Sequence, residues 1–436
     1  MQVLKFGGSS IGSVSKMNSV VSLLNDGKSR VVVFSAMAGM TSSLSEVADY
    51  LYKKNPDGAN EIINHLEQSY CDILSELFLA SSYKEEAQDL VRSSFDYIRS
   101  FTKDIFTLFE EKAILAQGEI LSSSIMYFLM KDKGIKVSLL PALDFMRTDK
   151  NSEPDPIYIR EKLTKLINEN DADVYVTQGH ICRNAYGEID NFNKGGSDLS
   201  ASLIGAALSA EEIQIWTDVE GMQNNDPRYV ENTAPVEHLL FEEAAELAYF
   251  GVKILHPSCI LPAKLNRIPV RLMNIYQPEF HGTLISNKME KRTLKAVAAK
   301  DGIIAIKVKS TKMLLAHGFL RRVFEIFESY QTPIDMVTTS EVGVSVTIDQ
   351  EKHLDDILND LKKFGTVTVD YGMSLICVVG DLDWANVGFE SKIINALNDI
   401  PVRMISYGGS NYNISFLIKT EDKVRALQTL NNTLFN

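Results

Sequence analysis

The sequence predicts an α/β protein with a mostly parallel sheet, followed by two smaller α+β units. Three observations point there. Apolar runs such as Val31-Val32-Val33-Phe34 alternate with helical patterns over the first two thirds of the chain, which implies parallel strands joined by helical crossovers. Beyond about Leu294 the segments shorten, and a strand, helix and strand-pair cycle occurs twice. A lysine, two glycines and a serine occur together twice, at Lys5 to Ser9 and at Lys194 to Ser197, each time leading into a helix.

Size and composition agree with this outline. A chain of 436 residues is too long for one ordinary core, so two or three domains are expected. A hydrophobic content of 45% and a charged content of 23% are those of a globular protein. A net charge of −13 argues against polyanion binding across the surface, though not against a local basic pocket. Cys71, Cys182, Cys259 and Cys377 have neither metal-ligand nor disulfide-like spacing and read as reduced core thiols. No apolar run is expected to span a bilayer, and the first residues do not read as a signal peptide.

Val3 to Phe6 is a short buried strand, and Met17, Val20, Val21 and Leu24 set a helix over 14–24. The turn between them, Gly7-Gly8-Ser9-Ser10, lets backbone approach a ligand closely and offers amide N–H groups near a helix start. It is read as a phosphate loop, with Lys5 neutralising the group being transferred. Val31 to Phe34 is a second strand, ending in Ser35 to Thr41 before a helix. Gly27-Lys28-Ser29 resembles the tail of a Walker A loop but precedes a strand, so it is set aside. Residues 56–117 form a helical block, and Gly118-Glu119 places a carboxylate in an otherwise apolar helix.

Strands follow at 136–140 and 173–178, the latter stopping at Gly179. The second diglycine stretch, Asp190 to Asp198, opens a helix running to Leu208. Gln214-Ile215-Trp216 enters Thr217-Asp218, and Asp226-Pro227-Arg228 lies in a loop. Phe241 to Ala248 is a helix, followed by Phe250 to Pro257 and a strand at 268–273. The singled-out loops fall at the carboxyl ends of strands, where ligands of such sheets bind. In the last third, strands are expected at 303–308, 334–339, 342–348, 376–379, 402–406 and 413–418. Helices are expected at 318–330, 389–397 and 422–434.

Taken together, Lys5 to Ser10, Ser35 to Thr41, Gly118-Glu119, Lys194 to Asp198, Trp216 to Asp218, Asp226 to Arg228 and Phe250 to Pro257 resemble the aspartokinases of the amino-acid kinase superfamily. Met313, Gly318-Phe319-Leu320 and Thr338 to Val342 resemble the paired ACT regulatory domains of its single-function, lysine-inhibited branch. The resemblance implies an amino-acid kinase fold over 1–290, its sheet sandwiched by helices. Two ferredoxin-like ACT domains would follow, one over 303–376 and one built from 294–300 and 377–436.

The activity implied is transfer of a phosphoryl group from ATP, with Mg²⁺ bridging phosphate oxygens, to the side-chain carboxylate of L-aspartate. This is the first step of lysine, threonine and methionine biosynthesis. Lys5, Asp198 and Lys253 would be catalytic. Thr41, Glu119 and Lys194 would hold the amino acid, Glu119 pairing with its α-ammonium. Gly7, Gly8, Ser9, Gly195, Gly196, Ser197, Thr217, Asp218, Arg228 and Lys253 would hold the nucleotide. No protein metal ligand is assigned. Because the acceptor carboxylate is already ionised at neutral pH, the chemistry needs positioning and charge neutralisation rather than a strong base.

Lysine would act through Met313, Gly318, Phe319, Leu320, Ile334 and Asp335, the last pairing with the effector's ammonium. For the apolar members, plain helix-face core is the competing reading. A cytoplasmic homo-oligomer associating through ACT domains, with no nucleic-acid or membrane partner, is the corresponding expectation. Five departures stand out. Lys194 replaces the family's arginine at the α-carboxylate, offering a point charge instead of a fork, so a looser site, or help from Arg183, is expected. Gln223 replaces a tyrosine before Asp226, Ser9 replaces a threonine, and Ala316 and Pro333 replace serines. The competing functions are a kinase of glutamate, acetylglutamate or UMP, and an amino-acid sensor without catalysis.

Overall fold

The computed structural model describes residues 1–79, 81–103, 105–192, 195–250, 257–291, 293–310 and 317–435, with backbone only for Pro257 and Ser258. Among them the chain divides into two compact units, Met1–Met222 with Leu255–Asn287, and Gln223–Ile254 with Lys288–Asn436. The stretch that begins at Gln223, read in the sequence as part of the first region, thus groups with the second.

The first unit runs β1 (Gln2–Phe6), α1 (Val14–Leu24), β2 (Arg30–Phe34), α2 (Met40–Tyr52), α3 (Pro56–Leu77), α4 (Lys84–Ser100), α5 (Leu108–Asp132), β3 (Val137–Leu139), α6 (Ala142–Phe145), α7 (Pro156–Glu169) and β4 (Val174–Gln178). A hairpin of β5 (Ile181–Arg183) and β6 (Ile189–Asn191) leads to α8 (Gly196–Leu208) and β7 (Ile213–Thr217). In the second unit follow β8 (His238–Leu240) and α9 (Phe241–Tyr249). The chain then returns to the first unit with α10 (Pro257–Leu265), β9 (Val270–Asn274) and β10 (Thr283–Ser286).

Strands of the first unit lie in the order β3-β4-β2-β1-β7-β9-β10. All neighbours are parallel except β10, which runs antiparallel to β9. Strands β2 and β4 are buried along their whole length, as expected for strands covered on both faces. Phe6 stacks between Phe34 at 5.7 Å and Trp216 at 5.8 Å, tying the three neighbouring strands.

Helix α5 starts at a capping box in which Thr107 N–H donates to Glu110 Oε2 at 2.8 Å. Contrary to the expectation of no spanning run, α5 is long and apolar enough to cross a bilayer by length and composition. However, 78% of its most apolar window is buried inside the protein, so it is a core helix. Its glutamates, serines and Gln117 interrupt the apolar run that a linear reading looks for.

The rest of the second unit runs β11 (Leu294–Lys309), α11 (Phe319–Ser329), β12 (Met336–Ser340), β13 (Gly343–Ile348), α12 (Leu354–Lys362), β14 (Thr366–Gly380), α13 (Phe389–Ala396), β15 (Val402–Tyr407), β16 (Asn413–Lys419) and α14 (Lys423–Leu434). Its strands form one six-stranded sheet, β12-β13-β11-β14-β16-β15. The long β11 and β14 pair antiparallel down the middle, with register shifts around residues 300–305. Each therefore serves both halves, and the short strands expected at 303–308 and 376–379 are ends of longer ones. Two cores result. Val323, Phe327, Val346 and Ile357 belong to one, and Val378, Ile393, Phe416 and Leu427 to the other.

Candidate active site

Backbone hydrogen bonds sew together the carboxyl ends of the central strands of the first unit. Ser35 N–H donates to Phe6 O at 3.1 Å, Gly179 N–H to Phe34 O at 2.9 Å, and Gly7 N–H reaches Trp216 O at 3.5 Å. The loops after β1, β2, β4 and β7 thus share one rim. Gly8 is required there by contact. A Cβ on it would stand 2.3 Å from Ala36 O and 3.0 Å from Ala38 N, so the two loops touch backbone to backbone. Lys16 Nζ donates to Ser9 O at 2.9 Å, so an ammonium already sits behind this turn.

Lys5 points along β1 to the same rim. Its Nζ stands 2.7 Å from Asp198 Oδ1, both side chains being mostly buried. It is also 3.6 Å from where a Gly7 Cβ would project. Asp198 lies in the first turn of α8, whose cap Gly195 has φ +79° and whose first residue Gly196 has φ +46°. A Cβ at Gly195 would meet Cys259 Sγ at 2.0 Å, and one at Gly179 would meet Ser197 Cβ at 2.4 Å. Glycine is thus needed both for the turn and for seating α8 on β4. The amide-bearing end of α8 then faces the rim, an arrangement suited to anions.

Glu119 reaches the rim from α5. A Cβ on neighbouring Gly118 would lie 2.9 Å from Ala36 Cβ, which shows how closely the helix seats on the loop after β2. Ser122 Oγ donates to Ser35 O at 2.8 Å and holds that contact. The Glu119 side chain is only 6% exposed, and among the described residues the basic side chain within 4 Å of its carboxylate is the imidazole of His180, Nδ1 to Oε1 3.7 Å. That distance is too long for a hydrogen bond. A buried carboxylate so weakly met among the described residues is suited to pairing with a cation. Burial, and then the Glu119 charge, push the Tyr70 hydroxyl well above its usual range.

The structure brings Lys5, Gly7, Gly8, Ser9, Glu119, Gly195, Gly196, Ser197 and Asp198 to this rim. Thr41 lies exposed in the first turn of α2, and Thr217 and Asp218 at the end of β7, where Thr217 Oγ1 donates to Asp218 Oδ1 at 3.2 Å. Arg228 belongs to the second unit, exposed and clasped by Asp226, Nη2 to Oδ2 2.6 Å. Lys194, Lys253 and Met313 lie outside the described residues. Arg183 does not take the role expected of it. Its Nε donates to Leu143 O at 3.0 Å and its Nη1 to Gly187 O at 2.6 Å, which bind the guanidinium to its own hairpin and to α6. His180 was not singled out from the sequence, because its only signal is the glycine before it. No three His, Cys, Asp or Glu side chains converge as a metal site among the described residues.

In the second unit Gly318, φ +76°, caps α11. Phe319 is buried and Leu320 packs against the same core, so both act as helix-face core residues. Ile334 also packs there. Asp335 is different. Its side chain is 1% exposed, and Oδ1 accepts from Tyr249 Oη at 2.6 Å and from Lys300 Nζ at 2.9 Å. Lys300 also pairs with Asp349 at 2.9 Å. Burial opposes the Lys300 charge, but the two carboxylates outweigh it and its pKa is raised.

A sheet rim carrying diglycine amides, a buried lysine and a buried carboxylate suits a small-molecule kinase of the amino-acid type. Residues 1–274 match the model of the amino acid kinase family, and residues 376–434 match an ACT domain. The lysine-sensitive aspartokinase 3 of Escherichia coli is 31% identical over 99% of this chain and 99% of its own. Two solved structures of E. coli aspartokinase III cover all of both chains. The complex with aspartate and ADP has a TM-score of 0.82 at 30% identity, and the complex with lysine and aspartate 0.81 at 31%. The chain belongs to the aspartokinase family.

Proposed function

We propose that this protein is an aspartate kinase: it moves the γ-phosphoryl group of ATP to the side-chain carboxylate of L-aspartate, forming 4-phospho-L-aspartate and ADP. The observation that carries this reading is the Lys5–Asp198 pair beneath the Gly7-Gly8 turn, on the same rim as the underused carboxylate of Glu119. Glu119 receives the α-ammonium of the acceptor. The acceptor's side-chain carboxylate, ionised at neutral pH, attacks phosphorus as ADP leaves. Lys5 stands where negative charge passes between the two, held in place by Asp198. The amides of Gly7 to Ser9 and the first turn of α8 hold phosphate oxygens. Thr217, Asp218, Arg228 and Lys253 remain the proposed nucleotide contacts, and Lys194 the proposed contact of the acceptor's α-carboxylate.

Magnesium enters this proposal as the ion ATP brings with its phosphates. The described residues offer no three-carboxylate cradle, and Asp198 already faces Lys5. Lysine is the proposed inhibitor, acting at Asp335, and a homo-oligomer formed through the ACT half in the cytoplasm is the proposed setting. ADP release measured with aspartate, with glutamate and with neither tests the activity. Turnover with glutamate in preference to aspartate would replace this reading by another kinase of the family.

A further inference from the structure

We propose that His180 is a specificity-determining residue of the amino-acid site, donating a hydrogen bond to the α-carboxylate of the acceptor. The inference rests on the aspartate kinase reading above.

The backbone is the first reason. His180 has φ +65°, in the left-handed region where a side chain costs conformational energy and glycine does not. It is held there on both sides. Its N–H donates to the buried Ser200 Oγ at 2.9 Å, and its carbonyl accepts from the N–H of the buried Phe192 at 2.9 Å. A glycine would make the same bonds at lower cost, so the ring is what the position keeps.

The second reason is where the ring lies. Nδ1 is 3.7 Å from Glu119 Oε1, and Cγ and Cδ2 are 3.9 Å from where a Gly196 Cβ would stand. His180 thus sits between the carboxylate that receives the α-ammonium and the amino end of α8. At 3.7 Å the ring does not satisfy Glu119 by hydrogen bonding. Nε2 has no hydrogen-bond partner among the described residues, and the side chain is 29% exposed. An α-amino acid carries its ammonium and α-carboxylate on one carbon, so an ammonium on Glu119 brings the α-carboxylate beside Glu119's own neighbour. That neighbour is an N–H donor.

The third reason is a gap in the cation supply. Lys194, placed where the family resemblance has arginine, brings a point charge without the bidentate fork, and Arg183 is bound to Leu143 and Gly187. A second donor on the α-carboxylate makes up that difference.

The test compares L-aspartate with its α-amide, which keeps the ammonium and the reacting side chain but loses the α-carboxylate charge. His180→Gly suits the backbone angle, so its thermal midpoint is expected to match or exceed wild type. In this variant KM for L-aspartate is expected to rise about tenfold or more, the effect falling on KM more than on kcat. The ratio of kcat/KM for L-aspartate over the α-amide is expected to fall by about the same factor. His180→Asn, which keeps an N–H donor and tolerates the angle, is expected to recover part of the ratio. An unchanged ratio in His180→Gly overturns the inference, because a residue that only steadied Glu119 would affect both acceptors alike. A lowered thermal midpoint with equal losses on both acceptors overturns it too. Absence of aspartate-dependent turnover in wild type removes the aspartate reading itself, and this inference with it.

Discussion

Tyr249 gives its hydroxyl hydrogen to Asp335 across 2.6 Å, on the carboxylate oxygen that Lys300 Nζ approaches at 2.9 Å. The carboxylate proposed to receive an effector's ammonium therefore already holds an ammonium and a phenol of its own chain. Its second oxygen, Oδ2, is buried with no hydrogen-bond partner among the described residues. Tyr249 ends α9, and four residues further on the chain reaches Lys253. A lysine ligand that recruits Asp335 has to share it with Lys300 and Tyr249, which connects effector binding to the helix leading into that stretch.

Asp335→Asn is accordingly expected to raise the lysine concentration for half-inhibition by about tenfold or more, since a charge-assisted bond becomes a neutral one. Tyr249→Phe is expected to shift the same value by a smaller factor. Dose–response curves of ADP release against lysine check both. Unaltered curves would remove Asp335 from the effector site.

Lys5→Met is expected to lower kcat by about 10²–10³-fold, the usual loss when one group stabilising transition-state charge is removed. KM for aspartate is expected to move far less, because Glu119 and not Lys5 is the proposed receiver of the acceptor's ammonium. Steady-state kinetics with each substrate varied in turn separates the two effects. A loss confined to KM would place Lys5 in ground-state binding.

Gly8→Ala is expected to destabilise the protein by about 1–3 kcal/mol and to weaken ATP binding, because the added methyl would stand 2.3 Å from Ala36 O and force two loops apart. Gly409→Ala, where a Cβ meets nothing within 4 Å, is the control and is expected to leave the thermal midpoint unchanged. Equal midpoints for the two variants would contradict the loop contact.

The Arg147 guanidinium, and after it the N–H of Tyr158, hold the Asp155 carboxyl below its ordinary 3.8. The folded pKa is depressed, so the stabilisation is present above 3.8 and is lost as pH falls through the lower folded value. Asp155→Asn keeps the cap on α7 but not the charge. Its deficit in thermal midpoint relative to wild type is expected to be largest near neutral pH and to shrink below pH 3.8. A deficit constant with pH would show that the ion pair does not contribute.

Much of this was legible in the residues. The period of Met17, Val20, Val21 and Leu24 placed α1 correctly because a helix on a sheet must show one apolar face. Lys5 and Gly8 stood out as candidates because local geometry restricts which residue types can serve beside a strand end, whereas Glu119, inside α5, was assigned its role only through the family resemblance. The full length of β11 was not. Lys300, Asp301 and Gly302 break its apolar run, and pairing with β14 shifts register there and resumes at Ile303, so the full strand shows only in the sheet. Arg183 was assigned by charge alone, and its partners Leu143 and Gly187 become neighbours only on folding.

The order of buried strands and amphipathic helices, the two diglycine turns and the family they signal were determined by the sequence alone, because periodicity and backbone permissiveness are local properties. Which side chains meet was decided by the tertiary structure. Glu119 and His180 lie sixty-one residues apart and come within 3.7 Å, and Tyr249 and Asp335 meet across 86. Such pairs exist because strand order and helix seating bring distant segments to one place, and no local pattern in the chain encodes that distance.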